Sequence, residues 1–314
     1  MAEPCIAVED VSKVFGTFTA VDDLSFEIPS GIICGFLGPN GAGKTTTVRM
    51  MLDIIRPNAG SITVLGRPST EQQRDRFGYL PEEKGLYKKM TARAVIAYLA
   101  ALKGVPKREA LRRADALLDK YGLGDNKRSK IEELSRGMSQ KVQVLATVAH
   151  EPELVILDEP FSGLDPVNQQ TLEGLILDLK RAGTTVLFST HVMQHAERLC
   201  DHIILLARGR KVFDGTVAGA RALLPPRVRL RCDTALPPDR LERFGTVTGG
   251  GADQDIEIAL GEGVAPRDVL KLCIDTGAGL NNFSVQEPSL HDVFVHLVGA
   301  RDAEGLSQAP EAPS

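Results

Sequence analysis

The nine residues Gly38-Pro39-Asn40-Gly41-Ala42-Gly43-Lys44-Thr45-Thr46 constrain this chain more than any other stretch. They fit the pattern G-x-x-x-x-G-K-[ST], with Gly38, Gly43, Lys44 and Thr45 at its fixed positions. An apolar run at residues 32–37 precedes them and helix-compatible residues 46–54 follow, so strand, loop and helix are expected in succession. Glycines let such a loop curl until successive N–H groups face inward, and the helix N-terminus adds about half a positive charge. A polyphosphate is the expected occupant. Lys44 would reach its β- and γ-phosphates, and the Thr45 hydroxyl would ligate Mg²⁺.

The rest of the composition narrows the uses of such a loop. A chain of 314 residues suggests about two domains with a real core. Lys and Arg number 37 against 41 Asp and Glu, so no overall basic field exists to recruit nucleic acid or anionic lipid. The five cysteines, Cys5, Cys34, Cys200, Cys232 and Cys273, show no C-x-x-C spacing and read as reduced, buried thiols rather than as a disulfide frame or zinc site. Glu3, Glu9 and Asp10 sit at an N-terminus without an apolar core, so no signal peptide is expected. Apolar runs such as residues 203–207 fall far short of the ~20 residues that cross a bilayer. A role at a membrane would need another chain to bring this one there.

Along the chain, residues 6–15 and 22–28 read as strands around the turn Gly16-Thr17, with further strands at 61–65 and at 77–80, where Pro81 stops the run. From 91 to 122 the spacing becomes helical, with Val95, Ile96, Leu99, Leu111, Leu117 and Leu118 on apolar faces. Basic residues between Lys103 and Lys130 alternate with Glu109, Asp115, Asp119 and Asp125, which describes a solvated face. Residues 154–157 and 185–189 look like strands buried in a parallel sheet, and a hairpin is expected around Arg208-Gly209. Pro225-Pro226 marks a boundary. The expected organisation is a domain over 1–224, with a helical subdomain at about 84–150, a small α+β domain over 225–300, and a disordered tail over 301–314. In the small domain Ile256, Ile258 and Leu260 share one strand face, a helix starts near Pro266, and Ser289 with Asp292 caps the last helix.

Two further stretches carry chemistry. Residues 154–157 end in Asp158 and Glu159, which at the edge of a parallel sheet beside the phosphate loop suit Mg²⁺ binding and general-base work respectively. Leu134-Ser135-Arg136-Gly137-Met138-Ser139-Gln140 places Ser135 as the N-cap of a helix, which makes a second anion site. One nucleotide in one chain does not need two such sites. Two chains placed head to tail would need both.

That last stretch resembles the LSGGQ signature of the ATP-binding-cassette (ABC) ATPases, and the order of motifs over about residues 5–220 resembles the same family. The resemblance implies an α/β fold of the P-loop NTPase type: a mixed sheet core with antiparallel β and helical subdomains, followed here by a small α+β domain. It implies that ATP and Mg²⁺ bind, that Ser135 and Gly137 clamp a partner's γ-phosphate, and that Asp165 of the Ser162-Gly163-Leu164-Asp165 loop couples two sites. It also implies that His191 contacts the γ-phosphate in cis and that Phe15 stacks on adenine. Catalysis would fall to Glu159, His191 and Lys44; Thr45, Asp158 and Glu82 would hold the metal.

Three positions, in two motifs, depart from the family. Glu82 replaces the usual glutamine after Leu80-Pro81, and in the signature Arg136 and Met138 replace a glycine and the glutamine. Residues 78–87 and 287–294 are similar to the branch that energises separately encoded exporter permeases, including sodium-extrusion and drug-resistance systems. The expectation is the ATPase subunit of an exporter, cytoplasmic and peripheral on the inner face of the membrane through its permease, as a homodimer or heterodimer, without nucleic acid. The competing reading is a soluble ABC ATPase acting on nucleic acid, ribosomes or protein assembly, against which stand the single cassette and the short interval from Lys44 to Ser135. A regulator without turnover is disfavoured by Glu159 and His191.

Overall fold

A computed structural model describes residues 4–68, 75–83, 85–234, 236–249, 255–261 and 263–306. The chain divides into two compact units, Met1–Val217 and Ala218–Ser314.

In the first unit, β1 (Ile6–Phe15) and β2 (Phe18–Ile28) form a hairpin across Gly16-Thr17, and β1 also pairs with β4 (Ala59–Val64), which pairs with β5 (Arg67–Pro68). The second sheet holds β3 (Ile33–Leu37), β6 (Phe77–Leu80), β7 (Leu154–Asp158), β8 (Thr185–Thr190), β9 (His202–Ala207) and β10 (Arg210–Gly215), in the order β10-β9-β3-β8-β7-β6. All its pairings are parallel except that of β10 with β9. β3, β7 and β8 are buried at every position, which is why their apolar residues run on without alternation. The two sheets share a core in which Phe26 and Phe36 lie with ring centroids 5.6 Å apart. That packing fixes the ends of β3, β7 and β8 beside one another, and the site is built on those ends.

Helix α1 (Lys44–Met51) follows β3 directly. The helical stretch expected over 91–122 is two helices, α2 (Ala92–Leu102) and α3 (Lys107–Lys120). The break falls where Gly104 takes φ +88° and Pro106 removes a donor. Thr91 caps α2 by accepting from the Ala94 amide at 3.2 Å, and a two-pronged Arg93–Asp115 pair joins the helices. Arg112 and Arg113 pair with Glu109, and Lys127 with Asp119, so basic side chains here serve the chain's own carboxylates. α4 (Arg136–Val148), α5 (Pro166–Arg181) and α6 (Met193–Leu199) complete the unit.

The second unit begins near the start of α7 (Val217–Arg221), ahead of Pro225-Pro226. It contains β11 (Arg227–Cys232), α8 (Pro238–Glu242), β12 (Gly245–Gly249), β13 (Ile256–Leu260), α9 (Pro266–Asp275), β14 (Leu280–Gln286) and α10 (Leu290–Leu306). The sheet, in the order β12-β13-β11-β14, is antiparallel, and its period-two pattern sends Val228, Leu230, Ile256 and Ile258 inward against Val269 and Leu272 of α9. Arg227 and Arg231 emerge on the other face and pair with Glu257 and Asp255. Ser289 and Asp292 cap α10 reciprocally, at 3.0 and 3.1 Å. α10 extends through Leu306, into the stretch over 301–314 where a disordered tail is expected, and no proline interrupts it before Pro310. The remainder, 307–314, lies outside the described residues.

All five thiols are free, and burial pushes their pKa values up, Cys273 to about 11. No described helix is long and apolar enough to cross a membrane.

Candidate functional site

β3 carries the chain to Gly38 beside β9. A Cβ at Gly38 would collide with the Leu206 carbonyl oxygen, and one at Gly43 would lie 2.6 Å from that of Ala20. α1 then starts with Gly43, at φ +97°, as its N-cap and with no side chain satisfying its first amides. Those N–H groups stay available to an anion. Lys44 is 6% exposed, and its Nζ donates to the carbonyl oxygens of Gly38 and Pro39 at 2.7 and 3.1 Å. Burial pushes the Lys44 pKa down, while the carboxylates of Glu159, Asp158 and Glu82 act in the opposite sense.

A cavity of about 280 Å³ opens over the loop, lined by Phe18, Ala20, Asn40, Gly41, Gly43, Lys44, Thr45, Thr46, Glu82 and Glu159. Pro39 and Ala42 shape the loop from outside this lining, Pro39 by accepting from the Ala42 amide. The aromatic that lines this cavity is Phe18, while Phe15, for which adenine stacking is expected, is not among the lining residues. The two are partners across the hairpin turn, but only β2 runs beside the loop, where the Ala20 carbonyl meets Gly43. Phe15 instead carries the Lys13 ammonium 5.2 Å from its ring centroid.

Asp158 ends β7 and is 1% exposed. Its Oδ1 accepts from the Ser189 hydroxyl, and its Oδ2 is buried without a hydrogen-bond partner among the described residues. An orphaned carboxylate oxygen is costly and calls for a cation. With the Thr45 hydroxyl and the Glu82 carboxylate at the cavity, the donors are all oxygens, which fits Mg²⁺. No cluster of three or more His, Cys, Asp or Glu side chains forms a ready cage among the described residues. Mg²⁺ does not require one, since it keeps waters and takes ligands from phosphates.

Glu159 is 8% exposed and sits at φ +48°, a left-handed conformation that costs a non-glycine residue on the order of 1–3 kcal/mol. The surroundings hold it there. Its amide donates to the Ser189 carbonyl at 3.1 Å; its Oε1 accepts from the amide and Nδ1 of His191 at 3.0 and 2.8 Å; and its Oε2 accepts from the Thr190 hydroxyl at 3.1 Å. Thus the residue just past β7 supplies the carboxylate, and the end of β8 with the residue after it supplies its donors.

Ser135 is the N-cap of α4 and its Oγ accepts from the Met138 amide at 3.2 Å, which leaves its O–H free to donate elsewhere. Gly137 is buried, and a Cβ there would lie 2.9 Å from the Asn168 amide carbon. Asn168 donates its backbone and side-chain N–H groups to the two carboxylate oxygens of Asp165, the N-cap of α5. Those bonds, the backbone one first, hold the Asp165 carboxyl below its ordinary range.

The chain therefore gathers Lys44, Thr45, Glu82 and Glu159 round one cavity, with His191 joined through Glu159. Ser135, Gly137 and Asp165 stay outside that lining. The sequence assigns no site role to Phe18, Ser189, Thr190, Asn168 or Gln140, whose Nε2 donates to the Pro160 carbonyl at 3.3 Å. Asn168, three residues after Asp165, had a capping signal in its spacing; the others depend on which strand lies beside which loop.

Comparison with known proteins identifies the family. Residues 21–162 match the ABC transporter family, and residues 227–298 match the C-terminal domain of DrrA1-3-like ATP-binding proteins. The chain is 39% identical over 301 residues to the ABC transporter ATP-binding protein YhaQ of Bacillus subtilis (strain 168), covering 94% of this chain and 99% of that one. It is 31% identical to the daunorubicin resistance ATP-binding protein DrrA3 of Streptomyces coeruleorubidus, over 95% of this chain and 97% of that one. A solved ATP-binding subunit of an ABC transporter matches with a TM-score of 0.65 and 32% identity, covering 70% of this chain and 92% of its own.

Proposed function

Since this chain belongs to the ABC transporter ATP-binding proteins and is an ATPase, we propose that it works as half of a head-to-tail pair driving a separate exporter permease. The triphosphate enters the loop cavity, where the α1 amides and Lys44 take its oxygens in place of the Gly38 and Pro39 carbonyls. Phe18 offers a ring to the adenine. Mg²⁺, when bound, offsets charge on the phosphates; the Thr45 hydroxyl, Asp158 Oδ2 and Glu82 are the groups that would hold it. Glu159, fixed by three donors, orients the attacking water and accepts its proton. His191, whose Nδ1 donates to Glu159, would reach the γ-phosphate through Nε2–H as the doubly protonated ring, in which both nitrogens donate.

The observation that carries this reading is Glu159 itself, a buried carboxylate held in a strained conformation at the wall of the phosphate cavity. The exporter class is supported by relatives such as DrrA3, whose name refers to daunorubicin resistance, and by the match of the second unit. ATP drawn into the cavity of one copy would be closed over by Ser135 and Gly137 of a second copy, and hydrolysis would reopen the pair. Residues 82–130 would face the permease, with the chain on the cytoplasmic side. Purification from membranes with gentle detergent tests the assignment. The expected result is a co-purifying polytopic subunit whose presence raises ATP turnover. A chain that fractionates instead with ribosomes or nucleic acid contradicts it.

A further inference from the structure

Two of the three departures from the family's pattern, Glu82 and Arg136, meet in one cavity. Glu82 stands where the resemblance places an amide and Arg136 where it places a glycine, and both line a space of about 440 Å³ with Glu83, Gln140, Glu159 and Ser162. Glu82 and Glu159 also line the phosphate-loop cavity, so these carboxylates form a partition between the two spaces. Among the described residues lining the larger one, three carry negative charge and Arg136 alone carries positive charge.

Arg136 is the first residue of α4 and is exposed, yet it is not adrift. Its guanidinium fills the place a side chain at Gly163 would take, 2.5 Å from Cζ and 2.8 Å from Nε to an ideal Cβ there, with Gly163 at φ +68°. Its side chain has no hydrogen bond or ion pair among the described residues. The charge is thus positioned but uncommitted. One helical turn further on, Gln140 commits its Nε2 to the Pro160 carbonyl and leaves its buried Oε1, an acceptor, without a donor among the described residues, so this amide offers the carboxylates no compensation.

We infer that Arg136 is a positioning residue whose guanidinium is the countercharge to Glu82, allowing the loop that carries Glu82 to stand beside a triphosphate. A carboxylate in place of an amide repels the anionic substrate, and a fixed cation across the cavity offsets that repulsion. Arginine suits the post because its planar, weakly hydrated head can lie against the Gly163 backbone while keeping its charge. The inference rests on the ATP site proposed above.

A double-mutant cycle on the full chain tests it, with Arg136→Gly, Glu82→Gln and the two combined. The readouts are affinity for a fluorescent ATP analogue in EDTA, and KM and kcat with Mg²⁺. Arg136→Gly alone is expected to weaken analogue binding about tenfold at low salt, and adding Glu82→Gln should restore it to within about twofold. The loss should shrink at about 1 M salt, and Arg136→Lys should keep most of the affinity. Independent, multiplying effects of the two substitutions overturn the inference, as does an Arg136→Lys variant as weak as Arg136→Gly. An unsubstituted chain that binds no analogue overturns the site itself, a result distinct from both.

Discussion

The phosphate-loop end and the signature end of this chain are finished to different degrees. Around Lys44 the chain supplies a loop, a helix terminus, a hydroxyl, two carboxylates and an aromatic ring to one cavity. Around Ser135 it supplies a capped helix start and a buried glycine locked against Asn168, and neither Ser135 nor Gly137 borders that cavity. The first end can take a ligand by itself. The second presents its anion-binding groups outside that cavity, the arrangement expected of the proposed half-site that another copy would complete.

The contrast predicts which functions each end controls. The largest effect belongs to the complete end: Lys44→Ala should lower kcat/KM for ATP by ~100-fold or more, with nucleotide affinity lost as well, in a phosphate-release assay and a binding titration. Next, Gly137→Ala forces the Asn168 amide aside and with it the Asp165 cap. Turnover should fall roughly ten- to a hundredfold while the isolated chain binds nucleotide normally; an equal loss of binding would erase the distinction between the ends.

The smallest effect concerns the anchor of α4, whose first turn is the signature. Just past its other end, the His150 Nε2 bonds the Phe77 carbonyl at 3.2 Å, and Nδ1 is buried without a partner among the described residues. Burial first, and then the Lys103 ammonium, push the His150 pKa down from 6.5 to about 4. A histidine with a depressed pKa stabilises the fold fully above about 6.5 and loses that contribution as pH falls toward 4. Allowing for its partial exposure, acidification across that window should cost about 1–2 kcal/mol. Thermal melts between pH 7.5 and 5 should show the slope, and His150→Gln should flatten it. Hydrogen exchange should quicken in α4 before α1.

The sequence discloses the two ends unequally for a physical reason. The phosphate loop is a local backbone demand, glycines where a Cβ would strike Leu206 or Ala20, so its spacing survives in the string of residues. The buried strands β3, β7 and β8 are legible because burial on both faces leaves unbroken apolar runs. What is not legible depends on register and on packing between distant segments. Phe18 rather than Phe15 lines the cavity because β2, not β1, borders the loop. Arg136 reaches Gly163, and Gly137 meets Asn168, only once α4 and α5 are packed together. Glu159's donors lie at the end of β8 and just past it, three decades of residue numbers away, and their proximity follows from strand order alone.

The central claim is that two copies share each triphosphate. Glu159→Gln should keep the cradle, remove the base, and so hold the closed pair. In light scattering after gel filtration with ATP and Mg²⁺, this variant should elute at twice its mass in complex with its permease removed, and return to single mass with ADP. A variant that binds ATP but stays single under those conditions, with hydrolysis nonetheless abolished, would contradict the shared site.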